Sequence, residues 1–482
     1  MLKAPVSTLG AVRILGVTMW PCRVVLMVLL MLAASKPLNA DESNLAKLRQ
    51  QVAGQSQLLD EQQHVLDQQQ LELQSLRQLF ESQTSASQAR SGYDKGFVIT
   101  SPGEPRSDSD SFHLRFNSWM QLRHTVFDSD GVTADQNEVE FERLRLIFSG
   151  HVWSPGFRYF IQLDADSDQS ETVDMLDYYV HYDLADIFDM EPDTIAIRAG
   201  KWKMPFNRAR FESGRKMQLV DRGLSSVFFD INRSLGVGVI TRNSVADRPV
   251  ETHLALHNGF KTGAFQPVRV GELDRNVAVS GRIFSDLVGS WGKDGESDLT
   301  PHSCPAVRVG AGFARTKVDR DGLREFFRQR VVDSGATLAS ILPPEVHEYD
   351  IAFYSVDANM KYRGLSILTE YYFRQMNDFR GAAVSTLNDH GLLVQSGVFV
   401  IPERLELAAR FTRIVGNSGS LGASDASSDE VSVGFNWYLR GHNAKLQFDV
   451  THLNGAPLLD RALNVLPGDR GMFYRTQLQL AF

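Results

Sequence analysis

The sequence contains very few cysteines and, outside its N-terminus, no long hydrophobic run. Of the two cysteines, Cys22 lies just before an N-terminal apolar segment and Cys304 stands alone in the remainder of the chain. One remaining thiol excludes an internal disulfide. Beyond residue 40, no stretch approaches the roughly 18 consecutive apolar residues that indicate a transmembrane helix. The sequence therefore predicts neither a disulfide-stabilised fold nor a helical membrane protein.

Acidic residues are absent from the first 40 positions, which contain four basic residues. The apolar run Val24–Ala34 has eleven residues, too few to span a bilayer, which needs about 20. The sequence "LNA" ending at Ala40 is a plausible cleavage site, although Leu38 is larger than the usual residue three positions before the cut. The pattern predicts an export signal peptide over residues 1–40. The alternative is an uncleaved membrane anchor.

An excess of positive charge is also lacking, because the formal net charge of the chain is -8. The stretch "GKWKMPFNRARFESGRK", Gly200–Lys216, nevertheless holds six basic residues and one acidic residue. Export and the acidic balance argue against nucleic acid as a partner. Signatures such as G-x-S-x-G, the P-loop and H-E-x-x-H are missing. We therefore expect no enzymatic activity, no cofactor and no metal site.

The segment after the predicted signal peptide has a seven-residue repeat and no proline. Six apolar residues occupy one position of the repeat: Leu45, Val52, Leu59, Leu66, Leu73 and Phe80. The position three residues later is mixed: Leu48, Gln55, Gln62, Gln69 and Leu76. A strict seven-residue repeat predicts a coiled coil between chains over residues 41–81, followed by a linker over residues 82–110. A single amphipathic helix lying on a barrel or a membrane is the alternative.

The remainder of the chain alternates apolar and polar residues in short segments. In "FYRTQLQLAF" at the C-terminus, Tyr474, Leu478 and Phe482 share one face, and Arg475 and Gln479 share the other. Period-two alternation predicts β-strands with one apolar face. A soluble sandwich would bury that face, whereas a transmembrane barrel would turn it to lipid. Export, a C-terminal strand ending in Phe and alternately long and short loops favour an outer-membrane barrel over residues 111–482.

Counting segments under this rule predicts sixteen antiparallel strands in an all-β barrel, an even number as expected for such proteins. The predicted strands lie near 112–127, 138–150, 156–165, 173–184, 194–203, 234–243, 250–258, 273–284, 305–316, 348–361, 364–376, 391–402, 404–415, 429–440, 444–453 and 471–482. Short turns are expected on one side of the membrane and long loops on the other. Residues 285–304 depart from this rule, because they are long on the short-turn side.

The strands contain a series of short motifs in a recognisable order. They are "GYDKGFVI" (92–99), "FERLRLIFSG" (141–150), "LDYYVHYDL" (176–184), "AGKWKMPF" (199–206), "NRSLGVGV" (232–239), "HNGF" (257–260), "VFVIPERLELAARF" (398–411), "VGFNWYLRGHNAKLQFDVTHL" (433–453) and the terminal "RTQLQLAF". With these motifs the chain resembles the phosphate-selective porin O and P family of outer-membrane channels. The resemblance implies a homotrimer of sixteen-stranded barrels, each with an anion-conducting pore. It also implies the periplasmic coiled coil that some members carry.

One functional position can be carried over from the family. Its second strand bears an Arg-Arg pair after a Phe, directed at the constriction of the channel. Here Phe141 is followed by Glu142 and Arg143. Arg143 is therefore a predicted pore residue, while Glu142 weakens a specific claim for phosphate.

Anions that shed water in a narrow pore need positive potential and hydrogen-bond donors, and arginine supplies both to oxyanions. Alternation places several arginines opposite the lipid-compatible face: Arg143, Arg145, Arg374, Arg410, Arg440 and Arg475. Glu370, Glu406 and Asp177 are predicted to line the same surface. The alternative for each arginine is an ion pair that braces a water-filled barrel.

The basic stretch falls at the end of the fifth strand and the start of the third long loop. We expect this loop to fold inward and narrow the pore, with Lys203, Arg208, Arg210, Arg215 and Lys216 attracting anions. Contact with lipopolysaccharide phosphates or with neighbouring loops is the alternative.

The sequence thus predicts an outer-membrane porin of a Gram-negative-type bacterium that passes small, phosphate-like anions. Its expected partners are outer-membrane lipids and two further copies of the chain. The rival hypothesis is a structural tether, in which the periplasmic coiled coil binds the cell wall and the barrel is an anchor or an unselective pore.

Overall fold

A computed structural model describes most of the chain beyond residue 41, and the predicted signal peptide lies outside the described residues. The described ranges are 42–87, 89–101, 111–131, 133–165, 173–260, 275–321, 323–332, 336–417, 421, 427–458 and 465–482. The chain divides near residue 85 into two compact units. Each unit is described by itself.

The first unit contains one helix, Glu42–Ser87, of 46 residues. It continues six residues beyond the predicted end at residue 81. The heptad residues whose side chains are described are exposed, from 48% for Leu45 to 66% for Leu73. Across the described residues, no helix combines the length and the apolar character needed to cross a membrane. The long helix is confirmed, and the heptad residues with described side chains are exposed.

The second unit begins with a hairpin of two short strands, β1 (Arg90–Tyr93) and β2 (Phe97–Thr100). The sequence predicts a linker over this interval. Strand β2 pairs with the first residues of the next strand, Phe97 with Phe116 and Thr100 with His113. The hairpin therefore extends the sheet at one end.

Sixteen further strands follow, and their bounds agree with the predicted ones to within a few residues. They are β3 (Ser111–Ser129), β4 (Gln136–Trp153), β5 (Phe157–Asp164), β6 (Asp174–Asp183), β7 (Ile195–Lys203), β8 (Arg233–Val245), β9 (Arg248–Asn258), β10 (Val277–Val288), β11 (Ala306–Asp319), β12 (Glu348–Tyr362), β13 (Leu365–Arg380), β14 (Leu387–Ile401), β15 (Leu405–Val415), β16 (Ser427–Tyr438), β17 (Ala444–Asn454) and β18 (Arg470–Ala481). Each strand pairs antiparallel with the next. Strand β18 returns to pair with β3, from Gly471–Ser129 to Ala481–Trp119. The predicted closed sixteen-stranded barrel is confirmed.

The two faces of the barrel wall have burial opposite to that of a soluble protein. Apolar residues point outward and are exposed, as Leu256, Val433 and Leu478 illustrate. Their polar neighbours point inward and are buried, so Gln477 and Asp449 have no exposed surface. An exposed apolar band with a polar interior is typical of a lipid-facing barrel, which excludes the soluble sandwich.

The connections also follow the predicted alternation. Short turns such as 363–364 and 402–404 lie at one end of the barrel, the turn end. Long loops lie at the loop end. The inner loop, residues 204–232, joins β7 to β8 and is the third of these. The turn-side segment, residues 289–305, joins β10 to β11 at the turn end, where the sequence predicts an exception.

Apolar residues of the long loops form a core inside the barrel near the loop end. Phe228 and Phe229 of the inner loop belong to it, together with Phe326 from a short helix, Leu323–Arg328. Phe229 stacks on Tyr372 of β13, with ring centroids 5.4 Å apart. Loop and wall are therefore packed together inside the barrel.

Candidate functional site

Carboxylates on the inner wall bind the backbone of the inner loop. Arg208 and Ala209 donate their backbone N–H groups to Glu370 of β13 at 2.7 and 3.0 Å. Val220 donates to Asp449 at 2.9 Å and Leu224 donates to Glu430 at 2.6 Å. Charge-assisted hydrogen bonds of this kind are stronger than neutral ones. The inward fold expected for this loop is present in the structure.

Gln218 anchors the part of the inner loop that lies nearest the turn end. Its side-chain amide donates to Ser366 and to Glu406, both at 2.6 Å. Its side-chain oxygen accepts from Gln395 at 2.9 Å, and its backbone oxygen accepts from Asn436 at 2.7 Å. These partners lie on β13, β14, β15 and β16, so one residue fixes the loop against four strands.

Asp221 links the inner loop to the arginines of the wall. Its carboxylate lies 2.7 Å from Arg123 and 2.9 Å from Arg143. Glu142 contacts the same two guanidinium groups at 3.1 and 2.9 Å. Burial alone would raise the pKa of Asp221, but Arg123 and Arg143 hold it below its usual range. The predicted pore residue Arg143 is thus neutralised by two carboxylates.

The other predicted wall arginines are also ion-paired. Arg145 pairs with Asp164 and Arg374 pairs with Asp389. Arg410 pairs with Glu430. Arg475 pairs with Asp449 at 2.9 Å. These contacts agree with the bracing role that the sequence leaves open as the alternative.

Arg440 is placed wrongly by the sequence pattern. Strand β16 ends at Tyr438, so Arg440 lies in the turn that follows and is exposed. The alternation of apolar and polar residues continues in the sequence for two residues beyond the end of the strand, and it therefore predicts a position on the inner wall for a residue of the turn.

The basic residues of the inner loop divide into paired and unpaired groups. Arg210 pairs with Asp230 at 2.9 Å, and Arg208 lies 3.7 Å from Glu296. In β7 and the inner loop, several half-buried basic residues have no carboxylate within ion-pair distance among the described residues, and we call five of them the unpaired basic group. They are Arg198, Lys203, Arg215, Lys216 and Arg222.

Three members of this group donate to backbone oxygens instead, and one of them, Lys216, donates to Lys293 at 2.6 Å. Lys203 donates to Glu212 at 2.9 Å. Arg222 donates to Ala209 at 3.2 Å and also to Glu212, at 2.9 Å. A carbonyl oxygen accepts a hydrogen bond without cancelling the charge. These hydrogen bonds therefore place no carboxylate against the three side chains.

The inner loop covers only part of the inner wall. Its contacts leave the inward side chains of β13–β18 and β3 almost fully buried, and we call this surface the covered wall. Strands β4–β7 carry mostly half-exposed inward residues, such as His151, Arg158 and Arg198. We call that surface the open wall.

The turn-side segment reaches the inner loop from the opposite end. Glu296 accepts a hydrogen bond from the backbone N–H of Gln218 at 3.0 Å. Lys216 donates to the backbone oxygen of Lys293 at 2.6 Å. The predicted exception at residues 285–304 is therefore a second inward segment.

Sequence reasoning missed Asp221 and Gln218, which hold the loop in place. Both lie in a stretch without strand alternation or a known motif, so no local signal distinguishes them. One indirect signal was available. The sequence predicts Glu370 and Glu406 in the lumen, and buried carboxylates need hydrogen-bond donors, which a loop folded into the barrel can supply.

The comparisons with known proteins agree with this geometry. Residues 112–246 match the model of the family described as phosphate-selective porin O and P. The match covers β3 to β8 and is a similarity of this part of the chain to that family. The match confirms the resemblance drawn from the motifs and supports an outer-membrane channel.

Solved porins have the same fold at low sequence identity. An anion-selective porin from Comamonas acidovorans is 9% identical, with a TM-score of 0.53, covering 77% of this chain and 100% of its own. OmpF of Salmonella typhi, solved with daunomycin, is 13% identical, with a TM-score of 0.48 and coverages of 82% and 100%. No curated protein sequence matches the chain.

Proposed function

We propose that this porin is a passive, anion-selective channel for small oxyanions such as phosphate. The observation that carries the proposal is the unpaired basic group, Arg198, Lys203, Arg215, Lys216 and Arg222, none of which has a carboxylate within ion-pair distance in the described chain. Fixed positive charges between low-dielectric walls raise the local concentration of anions. The Comamonas acidovorans porin of the same fold is an anion-selective porin.

Several weak sites suit a diffusion channel better than one strong site. An ion must leave as readily as it enters, so conduction favours repeated, moderate attraction. The ion-paired wall arginines, such as Arg143 and Arg410, have their charge compensated and serve mainly to hold the inner loop. In this proposal the predicted pore residues have unequal roles. Lys203, Arg215 and Lys216 attract the anion, whereas Arg145 and Arg374 brace the wall.

The reversal potential of the purified porin in a planar bilayer under a KCl gradient tests the selectivity. We expect the sign that corresponds to preferential chloride permeation. A reversal potential of the opposite sign would contradict the proposal while leaving the channel itself intact.

Phosphate specificity needs its own measurement, block of the chloride current by added inorganic phosphate. We expect block in the wild type and weaker block when Arg215 and Lys216 are both replaced by Gln. Arg440→Gln is the matched control, because Arg440 is exposed in a turn. Equal block in all three proteins would remove these residues from the phosphate path.

We further propose that the porin is a homotrimer whose helix, Glu42–Ser87, forms a periplasmic coiled coil. The described heptad residues are about half to two-thirds exposed in one chain. Apolar residues at a seven-residue spacing form a stripe along a helix that packs against the same stripe of other helices. The mass of the detergent-solubilised protein should be that of three chains, with or without residues 41–90.

The same helix supports the rival function, a tether to the cell wall. Deleting residues 41–90 separates the two. If the intact barrel never conducts and the deletion weakens the envelope, the tether explains the protein better than the channel does.

A further inference from the structure

A row of basic side chains crosses five neighbouring strands at the turn end of the lumen. In the register of the sheet, His113 pairs with His151, His151 with Arg158, Arg158 with His181, and His181 with Arg198. Directly paired residues share one face of a sheet, with Cβ atoms about 5 Å apart. The five side chains therefore form one continuous row.

The row faces inward. Val180 and Tyr182, which flank His181, are exposed apolar residues of the outer face at 41% and 39%. His181 points the other way and is 6% exposed. Arg158 also donates to the backbone oxygen of Pro155 at 3.0 Å, in the turn between β4 and β5. The row thus lines the open wall at the turn end.

His181 has the feature that points to a ligand. Both of its ring nitrogens are buried, and neither has a hydrogen-bond partner among the described residues. Buried polar atoms are rarely left without a partner. The Nε of Arg198 is also buried and unpartnered, while its guanidinium lies 4.4 Å from the centre of the Tyr179 ring. Two adjacent members of the row therefore lack an acceptor.

The charged groups around His181 leave an excess of positive charge. Arg198, Arg158 and Arg242 surround it, together with one carboxylate, Asp193. Asp193 lies 2.6 Å from Arg158 and 3.9 Å from Arg242.

A second carboxylate, Glu251, pairs with Arg242 at 3.1 Å. Asp177, the other carboxylate near Arg198, pairs with Arg233 at 2.8 Å. Arg198 itself makes no ion pair among the described residues. A small anion between His181 and Arg198 would balance this excess.

The other two histidines extend the same surface. The rings of His113 and His151 are stacked, with centroids 5.8 Å apart. His151 faces Arg158 and His113, and His113 faces Arg115 and Asp94. Protonation of either imidazole would add positive charge beside an arginine, and a bound anion would offset that charge.

We propose that this row, His113, His151, Arg158, His181 and Arg198, binds a small oxyanion at the turn end of the lumen, more tightly in its protonated state. The proposal deepens the anion-channel function and rests on it. Imidazolium and guanidinium groups donate to the anion, and the anion in turn stabilises the protonated imidazoles.

Sulfate is the suitable probe, because it does not itself titrate near neutral pH. Block of the chloride current by sulfate added at the turn side is measured at about pH 5 and about pH 8, so that the lower value lies well below the usual histidine pKa of about 6.5. We expect at least a fivefold lower half-blocking concentration at the lower pH in the wild type.

His181→Phe should raise the half-blocking concentration at the lower pH at least fivefold and remove most of its pH dependence. His181→Gln retains a hydrogen-bond donor but does not titrate. It should therefore lose the pH dependence of the block and keep the sulfate block itself. His452→Phe is the matched control, because His452 is exposed on the outer face near the loop end.

Two results would overturn the proposal. One is sulfate block that is independent of pH in the wild type. The other is unchanged block in a folded, conducting His181→Phe variant. An anion-selective reversal potential in the same variant would show that the row has failed while the proposed function stands. A cation-selective wild type would instead remove the proposed function.

Discussion

The covered wall and the open wall of the lumen use arginine in different ways. On the covered wall, Arg374, Arg410 and Arg475 are at most 4% exposed, and each has a carboxylate partner. On the open wall, Arg198 is half-exposed and rests on an aromatic ring without a carboxylate. The three arginines of the covered wall are therefore structural, whereas Arg198 of the open wall is available to ions.

Asp221→Asn should have the largest effect of the variants considered. It leaves Arg123 and Arg143 buried with only Glu142 to compensate them. Removing one partner from a buried ion pair costs about 3–5 kcal/mol. Thermal unfolding of the solubilised barrel measures this, and Asp128→Asn, at an exposed position of β3, is the control. Equal unfolding temperatures for the two variants would show that Asp221 does not hold the covered wall together.

The pH dependence of that difference has a definite sign. The pKa of Asp221 is lower in the folded protein than in the unfolded chain. Its contribution is therefore fully present above the unfolded value of about 3.9 and disappears as the pH falls through the lower folded value. The gap in unfolding temperature between wild type and Asp221→Asn should be constant from neutral pH to about pH 4 and narrow in stronger acid.

The barrel was predictable because its signal repeats. Alternation at every second residue recurs in sixteen segments, and errors at single boundaries do not change the strand count. Arg440 shows the limit, since alternation continued into the turn that ends β16. The hairpin at Arg90–Thr100 was missed because two four-residue strands are too short to show a period.

The pairing of the inner wall was not predictable in the same way. Arg143 meets Asp221, which is 78 residues distant, only because the inner loop returns into the barrel. Sequence alternation gives the face of a side chain and not its partner across the lumen. The sequence consequently indicated which arginines point inward but not which of them keep their charge.

Arg374→Gln and Arg198→Gln sharpen the comparison between the walls. The first leaves Asp389 buried without its guanidinium, so we expect a loss of stability of about 3 kcal/mol with the sign of selectivity unchanged. The second removes a cation–π contact worth about 1 kcal/mol and should lower chloride permeability relative to potassium. Unfolding temperature and reversal potential are measured on both proteins. Similar changes in both quantities for the two variants would show that the two walls do not use arginine differently.

Glu142→Gln should act in the opposite direction to Arg198→Gln. It removes a negative charge beside Arg123 and Arg143, while Asp221 still holds both guanidinium groups in place. We expect the ratio of chloride to potassium permeability to rise about twofold to threefold. Glu403→Gln, at an exposed turn position, is the control and should leave this ratio unchanged.

Glu296→Gln should have the smallest effect. The amide oxygen still accepts from Gln218, but the charge opposite Arg208 is lost. The contact between the turn-side segment and the inner loop becomes weaker without being broken. More frequent current fluctuations in single-channel records, at unchanged mean conductance, would show this. Fluctuations identical to the wild type would indicate that the turn-side segment does not restrain the loop.

The central claim is that unpaired basic residues, and not the paired wall arginines, set the selectivity of this porin. The most direct measurement is the reversal potential, under a KCl gradient, of a variant in which Lys203, Arg215 and Lys216 are all replaced by Gln. We predict that the anion-selective potential of the wild type falls to near zero or changes sign. A variant that conducts normally and keeps the full wild-type potential would contradict the account.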